Sequence, residues 1–251
     1  MSAIDPQLDC LPLSQKKLWP GLSVIGSDFV LYGGTALALQ VGGRMSVDFD
    51  FFSHGPFNPD RLSKRYPFLK DAEMIQREEA TASYSVRVGA DDVKISFFGT
   101  LDFGRVSEPV IFSDNGIYAA GLLDLAAQKV KVVTQRIEMK DYLDVDTLMK
   151  AGITLEAALG AAKALYPQFN PAISLKALSY FEDLPKLPAD VRLNLTKAVA
   201  SVRQIPEVLR QSQNLSPDVP KLTGVPRLSD ILRERRSTRE GQEPSGPRMR
   251  L

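Results

Sequence analysis

Asp48 and Asp50 sit two apart in the run Val47-Asp48-Phe49-Asp50-Phe51-Phe52, where apolar and acidic residues alternate. Alternation is the period of a strand. Both carboxylates therefore point to one face, while Val47, Phe49 and Phe51 pack behind. Two ionised carboxylates on one face repel each other unless a cation neutralises them. The pattern suits Mg²⁺, which takes one or two carboxylates and completes its shell with substrate phosphates. Upstream, Gly33-Gly34 end a short apolar run, Phe29-Val30-Leu31, and let the backbone approach a ligand closely. The helix expected from Thr35 to Val41, with Thr35 as its cap, offers unpaired N–H groups to a phosphate. An anion site beside a cation site describes a nucleoside triphosphate with its metal. Alone, Asp-x-Asp is common on half-exposed strands and Gly-Gly is usually a turn. Their occurrence together, in this order, is what points to a site.

Composition narrows the chemistry further. The chain has 251 residues, with 31 Lys plus Arg against 30 Asp plus Glu, a formal charge of +1, one cysteine and one histidine. A lone Cys10 cannot form an internal disulfide, and a lone His54 cannot build a His-rich zinc site. Any metal should be a hard cation held by carboxylates. At 44% apolar and 24% charged residues, the composition is that of an ordinary soluble globular protein. Asp5 and Asp9 stand where a secretory signal would be basic and then apolar, and no apolar run is long enough to span a membrane. A cytoplasmic protein with no membrane partner is expected. His54 precedes Gly55-Pro56 and reads as a structural or solvated loop residue.

The elements that must position these residues fall into two halves. From Phe29 to about Tyr118 the chain reads as short strands with turns and a helix or two. Ser83–Val88 and Val93–Phe98 alternate and form a hairpin about a turn at Ala90-Asp91-Asp92. After Gly121 the period becomes helical. Helices are expected over Leu122–Gln135, Lys140–Lys150, Leu155–Leu165 with Thr154 as cap, and Ala189–Val202, with Glu207–Gln211 extending the series. This order gives three parts: an α/β core over residues 1–118, a helical domain over 119–215, and an Arg/Pro-rich tail over 216–251. Arg233–Leu251 holds six arginines against three glutamates. That composition is expected to be disordered or to fold only on a partner.

The pattern Gly33-Gly34-Thr35 … Asp48-Phe49-Asp50-Phe51 resembles the signature of the polymerase-β-like nucleotidyltransferase superfamily. The fuller string is similar to its AbiEii/AbiGii toxin branch: Gly-Gly-Thr-Ala-Leu, then Arg44-x-Ser46-x-Asp48-x-Asp50-Phe51-Phe52. Downstream, Asp124-Leu125-Ala126-Ala127-Gln128-Lys129, then Arg136 and Lys140-Asp141-Tyr142-Leu143-Asp144, resemble that branch's helical motifs. The likeness covers roughly Asp28 to Leu148. It implies an α+β fold, a mixed short sheet with flanking helices followed by a helical C-terminal domain. It also implies transfer of a nucleoside monophosphate from an NTP with Mg²⁺, an acceptor such as RNA or tRNA, and a cognate antitoxin.

By that resemblance Asp48 and Asp50 are metal ligands, Gly33, Gly34 and Thr35 line the triphosphate, and Lys129 faces the phosphates as a fixed charge. Lys129 lies between apolar Leu125 and Val133, and a lysine on a buried stripe needs a reason. Ser46 shares the carboxylates' strand face and can bond a phosphate, while Arg44 can orient an aspartate as a bidentate partner. Asp141 and Asp144 share a helix face and are candidate catalytic groups. Lys140 and Asp144, at i and i+4, can pair on the surface. The superfamily's third carboxylate has no counterpart, because the candidate strand presents Lys94 and Ser96. Asp91 and Asp92 come too early in register. Three readings remain open: a transferase acting on RNA, one acting on a small-molecule hydroxyl, and a non-catalytic nucleotide-binding module.

Overall fold

The alternating run around Asp48 is a strand, β3 (Asp48–Phe52), with Phe49 and Phe51 buried and both aspartates half-buried; Val47 precedes the strand and is 59% exposed, so it does not pack behind it as expected. The computed structural model describes residues 2–217, so the tail expected from Ser216 lies outside the described residues from 218 onward. The other strands are β1 (Ala3–Ile4), β2 (Val30–Tyr32), β4 (Glu73–Glu78), β5 (Thr81–Val88), β6 (Asp91–Phe98), β7 (Val110–Phe112) and β8 (Tyr118–Ala119). They form one mixed sheet in the order β1-β7-β8-β2-β3-β6-β5-β4. β3 is central, antiparallel to β2 and parallel to β6. Central placement keeps the two carboxylates on a strand whose backbone is paired on both sides.

The helices are α1 (Leu13–Leu18), α2 (Gly33–Val41), α3 (Pro59–Arg65), α4 (Leu122–Val132), α5 (Met139–Lys150), α6 (Leu155–Leu165), α7 (Pro171–Leu178) and α8 (Ala189–Ser201). On one face of the sheet Trp19, just after α1, stacks on Phe49 at 6.0 Å, and Tyr66, just after α3, stacks on Phe97 at 5.9 Å. The opposite face carries the aspartates and meets the later helices. There Tyr32, the register partner of Asp50, stacks on Phe52 at 4.6 Å, and Phe103 bridges to Tyr166 beyond α6 at 5.4 Å. One continuous apolar core joins sheet and helices, and Met1–Pro217 forms one compact unit. The α+β architecture is therefore a mixed sheet with flanking helices. Among the described residues no helix is long and apolar enough to cross a membrane.

Several local expectations change. α2 begins at Gly33 with Tyr32 as its N-cap, so Thr35 lies inside the helix and does not cap it. The β5–β6 turn is Gly89-Ala90, because Gly89 takes φ +67° and lets the strands pair from Val88 to Asp91. Asp91 and Asp92 thus belong to β6, and Asp92 pairs with Arg87 at 2.8 Å. α4 stops at Val132, three residues short of Gln135. The helix expected over Glu207–Gln211 does not form; the segment has no regular secondary structure. It lies so close to Gly160 of α6 that a methyl there would meet the Pro206 carbonyl oxygen at 2.5 Å. Arg210 Nη2 then donates to the Ala164 carbonyl at 2.9 Å, so hydrogen bonding goes to a neighbouring helix instead of within the segment.

Candidate active site

β3 delivers Asp48 and Asp50 to one face of the sheet, beside the start of α2. Among the described residues neither carboxylate has a side-chain hydrogen bond or an ion pair. Burial pushes the Asp50 carboxyl above the usual carboxylate range, and the Asp48 charge adds to this; Lys94, Lys129 and Lys140 pull the other way. Across the ladder, Lys94 of β6 stands opposite Asp48 and Ser96 opposite Asp50. Ser96 is not on an open surface: it is buried and accepts from Ser83 Oγ at 3.0 Å. The row beside Asp50 therefore holds no third carboxylate. No group of three or more Asp, Glu, His or Cys side chains placed for a metal occurs among the described residues. Two free carboxylates still match a Mg²⁺ ion that draws its remaining ligands from water and substrate phosphates.

The glycine turn abuts this pair. Gly33 has φ +74°, and a methyl group there would lie 2.8 Å from Asp50 Oδ2. Only glycine takes that conformation at little cost and leaves the carboxylate room. A methyl at Gly34 would lie 2.5 Å from Arg44 Nη2 and 3.1 Å from Ser46 Oγ. The two glycines thus admit Asp50 on one side and the Arg44 guanidinium on the other. Thr35 and Ser46 are buried, with their hydroxyls 2.8 Å apart, and Thr35 Oγ1 donates to the Asp48 carbonyl. These hydroxyls brace the start of β3 against α2.

The second cluster is built on α4 and α5 and is electrically opposite. Asp141 and Asp144 are 0% and 2% exposed, and Lys129 is 5% exposed. Lys129 Nζ lies 2.9 Å from Asp141 Oδ1 and 2.7 Å from Asp144 Oδ2. Each aspartate also has its own arginine. Arg44 donates from Nε and Nη2 to the two oxygens of Asp144, both at 2.8 Å, and Arg136 Nε donates to Asp141 Oδ2 at 2.8 Å. Burial would raise the Asp141 pKa, but the Arg136 hydrogen bonds and the Lys129 charge hold it below the usual range. Arg44 does orient an aspartate as a bidentate partner, and the aspartate is Asp144, a hundred positions on. Lys140 does not pair with Asp144; it takes Glu138 at 2.8 Å, because Asp144 is already saturated from the interior. His54 Nδ1 bonds the Leu101 carbonyl at 2.9 Å, as a structural loop residue would.

Lys129 has three N–H donors and spends two on aspartates, leaving one uncommitted. Gly33 abuts Asp50 and Gly34 abuts Arg44, which bonds the Asp144 that Lys129 also bonds, so the glycine turn lies between the two clusters. Arg136 was not among the expected site residues, although it stands five before Asp141 in the matched string. Asp50's charge also acts on Arg136.

The fold, a central mixed sheet with flanking helices whose middle strand carries two half-buried aspartates beside a glycine turn, is similar to that of solved nucleotidyltransferases. The chain is similar to a nucleotidyltransferase of H. pylori (TM-score 0.54, 20% identity, 74% of this chain and 92% of that one). It is also similar to MenT4, a nucleotidyltransferase toxin of Mycobacterium tuberculosis H37Rv (TM-score 0.54, 12% identity, 76% of this chain and 84% of that one). These likenesses show the fold. An uncharacterised Aquifex aeolicus protein is 34% identical over 162 residues, covering 63% of this chain and 76% of that protein. The model of the nucleotidyl transferase AbiEii toxin family, of type IV toxin–antitoxin systems, matches residues 21–221, and the chain belongs to that family. It is therefore an enzyme of the nucleotidyltransferase class, in a family whose members act with an NTP and an antitoxin partner.

Proposed function

We propose that this protein transfers a nucleoside monophosphate from an Mg²⁺-bound NTP to an acceptor hydroxyl on RNA, with tRNA the leading candidate. The observation that carries the reading is the carboxylate pair Asp48/Asp50, which has no cation partner among the described residues and lies beside a glycine turn that also abuts Arg44 of the Arg44–Asp144–Lys129 cluster. Mg²⁺ held by Asp48 and Asp50 would stabilise charge developing on the α-phosphate and on the attacking and leaving oxygens. The acceptor oxygen bonds to the α-phosphorus, the α–β phosphoanhydride bond breaks and pyrophosphate leaves. The acceptor's proton passes to solvent, since the row beside Asp50 offers Ser96 and no carboxylate.

The chain's own groups do the positioning. Gly33 and Gly34 let the triphosphate approach the start of α2, whose first N–H groups are unpaired. Lys129 directs its remaining N–H to the phosphates. Asp141 and Asp144 act as positioning residues that hold the lysine in place, and Arg44 and Ser46 brace the frame. Thr35 acts from inside, fixing β3.

Incubation with radiolabelled NTPs, Mg²⁺ and total RNA tests the reading. Label should enter RNA with wild type and not with Asp48→Asn/Asp50→Asn. Label appearing only in a small-molecule fraction would replace RNA by a small acceptor. Co-purification with the product of a neighbouring gene that suppresses transfer tests for the antitoxin.

A further inference from the structure

We propose that the groove between the α4–α5 connection and α7 seats the terminal nucleoside of the acceptor, the last base of a single-stranded RNA end. This rests on the RNA-acceptor reading and adds the place where that acceptor is held. The groove measures about 340 Å³ and is lined in part by Arg136, Ile137, Tyr142, Ile173, Lys176 and Tyr180. That is the size range of small-ligand sites. Ile173, Ile137 and Tyr180 are 52%, 49% and 43% exposed. Exposed apolar side chains usually scatter singly, and a cluster of them marks a contact surface.

The polar groups choose the occupant. Lys176 is exposed and forms no ion pair among the described residues, so its charge is available to a phosphate. The Tyr180 hydroxyl donates to Glu182 at 3.1 Å, and the residue is 43% exposed, so its ring is accessible to a base. Bases stack on such rings with little sequence preference. An apolar protein segment would use the floor and leave Lys176 without a partner; a nucleotide uses both.

Two further observations tie the groove to the reaction. Arg136 lines it and bonds Asp141, which Lys129 also bonds, so an ion-pair chain joins the groove to the lysine cluster. The walls are also fixed in advance. Ser174 Oγ donates to the Val130 carbonyl at 2.8 Å, and the Tyr142 hydroxyl donates to the Ala177 carbonyl at 3.2 Å, fastening α7 to α4 and α5.

The test is fluorescence anisotropy with a labelled single-stranded RNA bearing a free 3′ hydroxyl. It uses the full chain carrying Asp48→Asn/Asp50→Asn, so that binding is read without turnover. Added Tyr180→Ala or Ile173→Asp should weaken RNA binding about tenfold, with Tyr180→Phe restoring it. Lys176→Glu should weaken binding and lower the salt slope by about 1. In the active enzyme the same substitutions should raise the KM for RNA and leave the KM for NTP unchanged. RNA binding within twofold of the parent in all three variants would overturn the proposal, even if wild type labels RNA. Loss of RNA binding in folded variants supports the groove, even if no label transfer is ever detected.

Discussion

The molecule carries two pairs of aspartates, on either side of the Gly33-Gly34 turn, that differ in how their charge is met. Asp141 and Asp144 are buried, and three cations of the chain, Lys129, Arg44 and Arg136, neutralise them. Asp48 and Asp50 are half-buried, two apart on one strand face, and among the described residues no cation bonds them. A buried charge without a partner costs several kcal/mol, so the first pair must be compensated for the fold to exist. The second pair can stay uncompensated because both residues are only half-buried, and a bound cation would relieve its repulsion. One pair is therefore part of the scaffold, and the other is a receptor for a cation.

The largest effect that would sharpen this contrast is on turnover. Asp48→Asn or Asp50→Asn should lower nucleotide transfer at least about a thousandfold, on the scale of losing the main electrostatic stabiliser of a transition state. Thermal stability should hold or rise, since like charges are removed. A large fall in melting temperature would break the comparison by making these residues structural.

Asp144→Ala should do the reverse, destabilising the fold by about 3–5 kcal/mol as Lys129 and Arg44 lose their shared partner. Urea denaturation checks it, and a cost below about 1 kcal/mol would contradict the scaffold role. Lys129→Met should cut transfer about a hundredfold while costing less stability than Asp144→Ala, because each aspartate keeps its own arginine. Gly33→Ala should cost about 1–2 kcal/mol for its left-handed backbone and lower activity by crowding Asp50.

The smallest effect is on pH. The Asp141 pKa is lower folded than unfolded, so its stabilisation is full above the unfolded value, about 4. It is lost as pH falls through the folded value. Stability measured between neutral pH and pH 3 should fall less steeply in Asp141→Asn than in wild type. Equal slopes would remove Asp141 from the compensated pair.

The strand pair was legible in the sequence because alternation fixes which face a residue takes, and Asp48 and Asp50 obeyed it. The hairpin of β5 and β6 and four of the long helices were legible for the same periodic reasons. The edge strand β4 was not: all its residues are exposed, so no apolar alternation marks it. Thr35 read as a cap by residue type, yet the helix starts two residues earlier on a positive-φ glycine, which type alone does not reveal. The Arg44–Asp144 bridge spans a hundred positions, and no local pattern encodes such a pairing. Lys129 was visible as a lysine on an apolar stripe, but its two carboxylate partners became identifiable only in three dimensions.

The central claim is tested most directly by denaturation with and without Mg²⁺-NTP in wild type, Asp48→Asn/Asp50→Asn and Asp141→Asn. Ligand that binds only the folded state at a hundredfold excess over Kd stabilises by about 2.7 kcal/mol. Wild type should show a ligand-dependent shift of that order, and Asp141→Asn should start lower but keep a shift. Asp48→Asn/Asp50→Asn should start no lower than wild type and show none. A full shift in Asp48→Asn/Asp50→Asn would contradict the account, because the cation would then be held elsewhere.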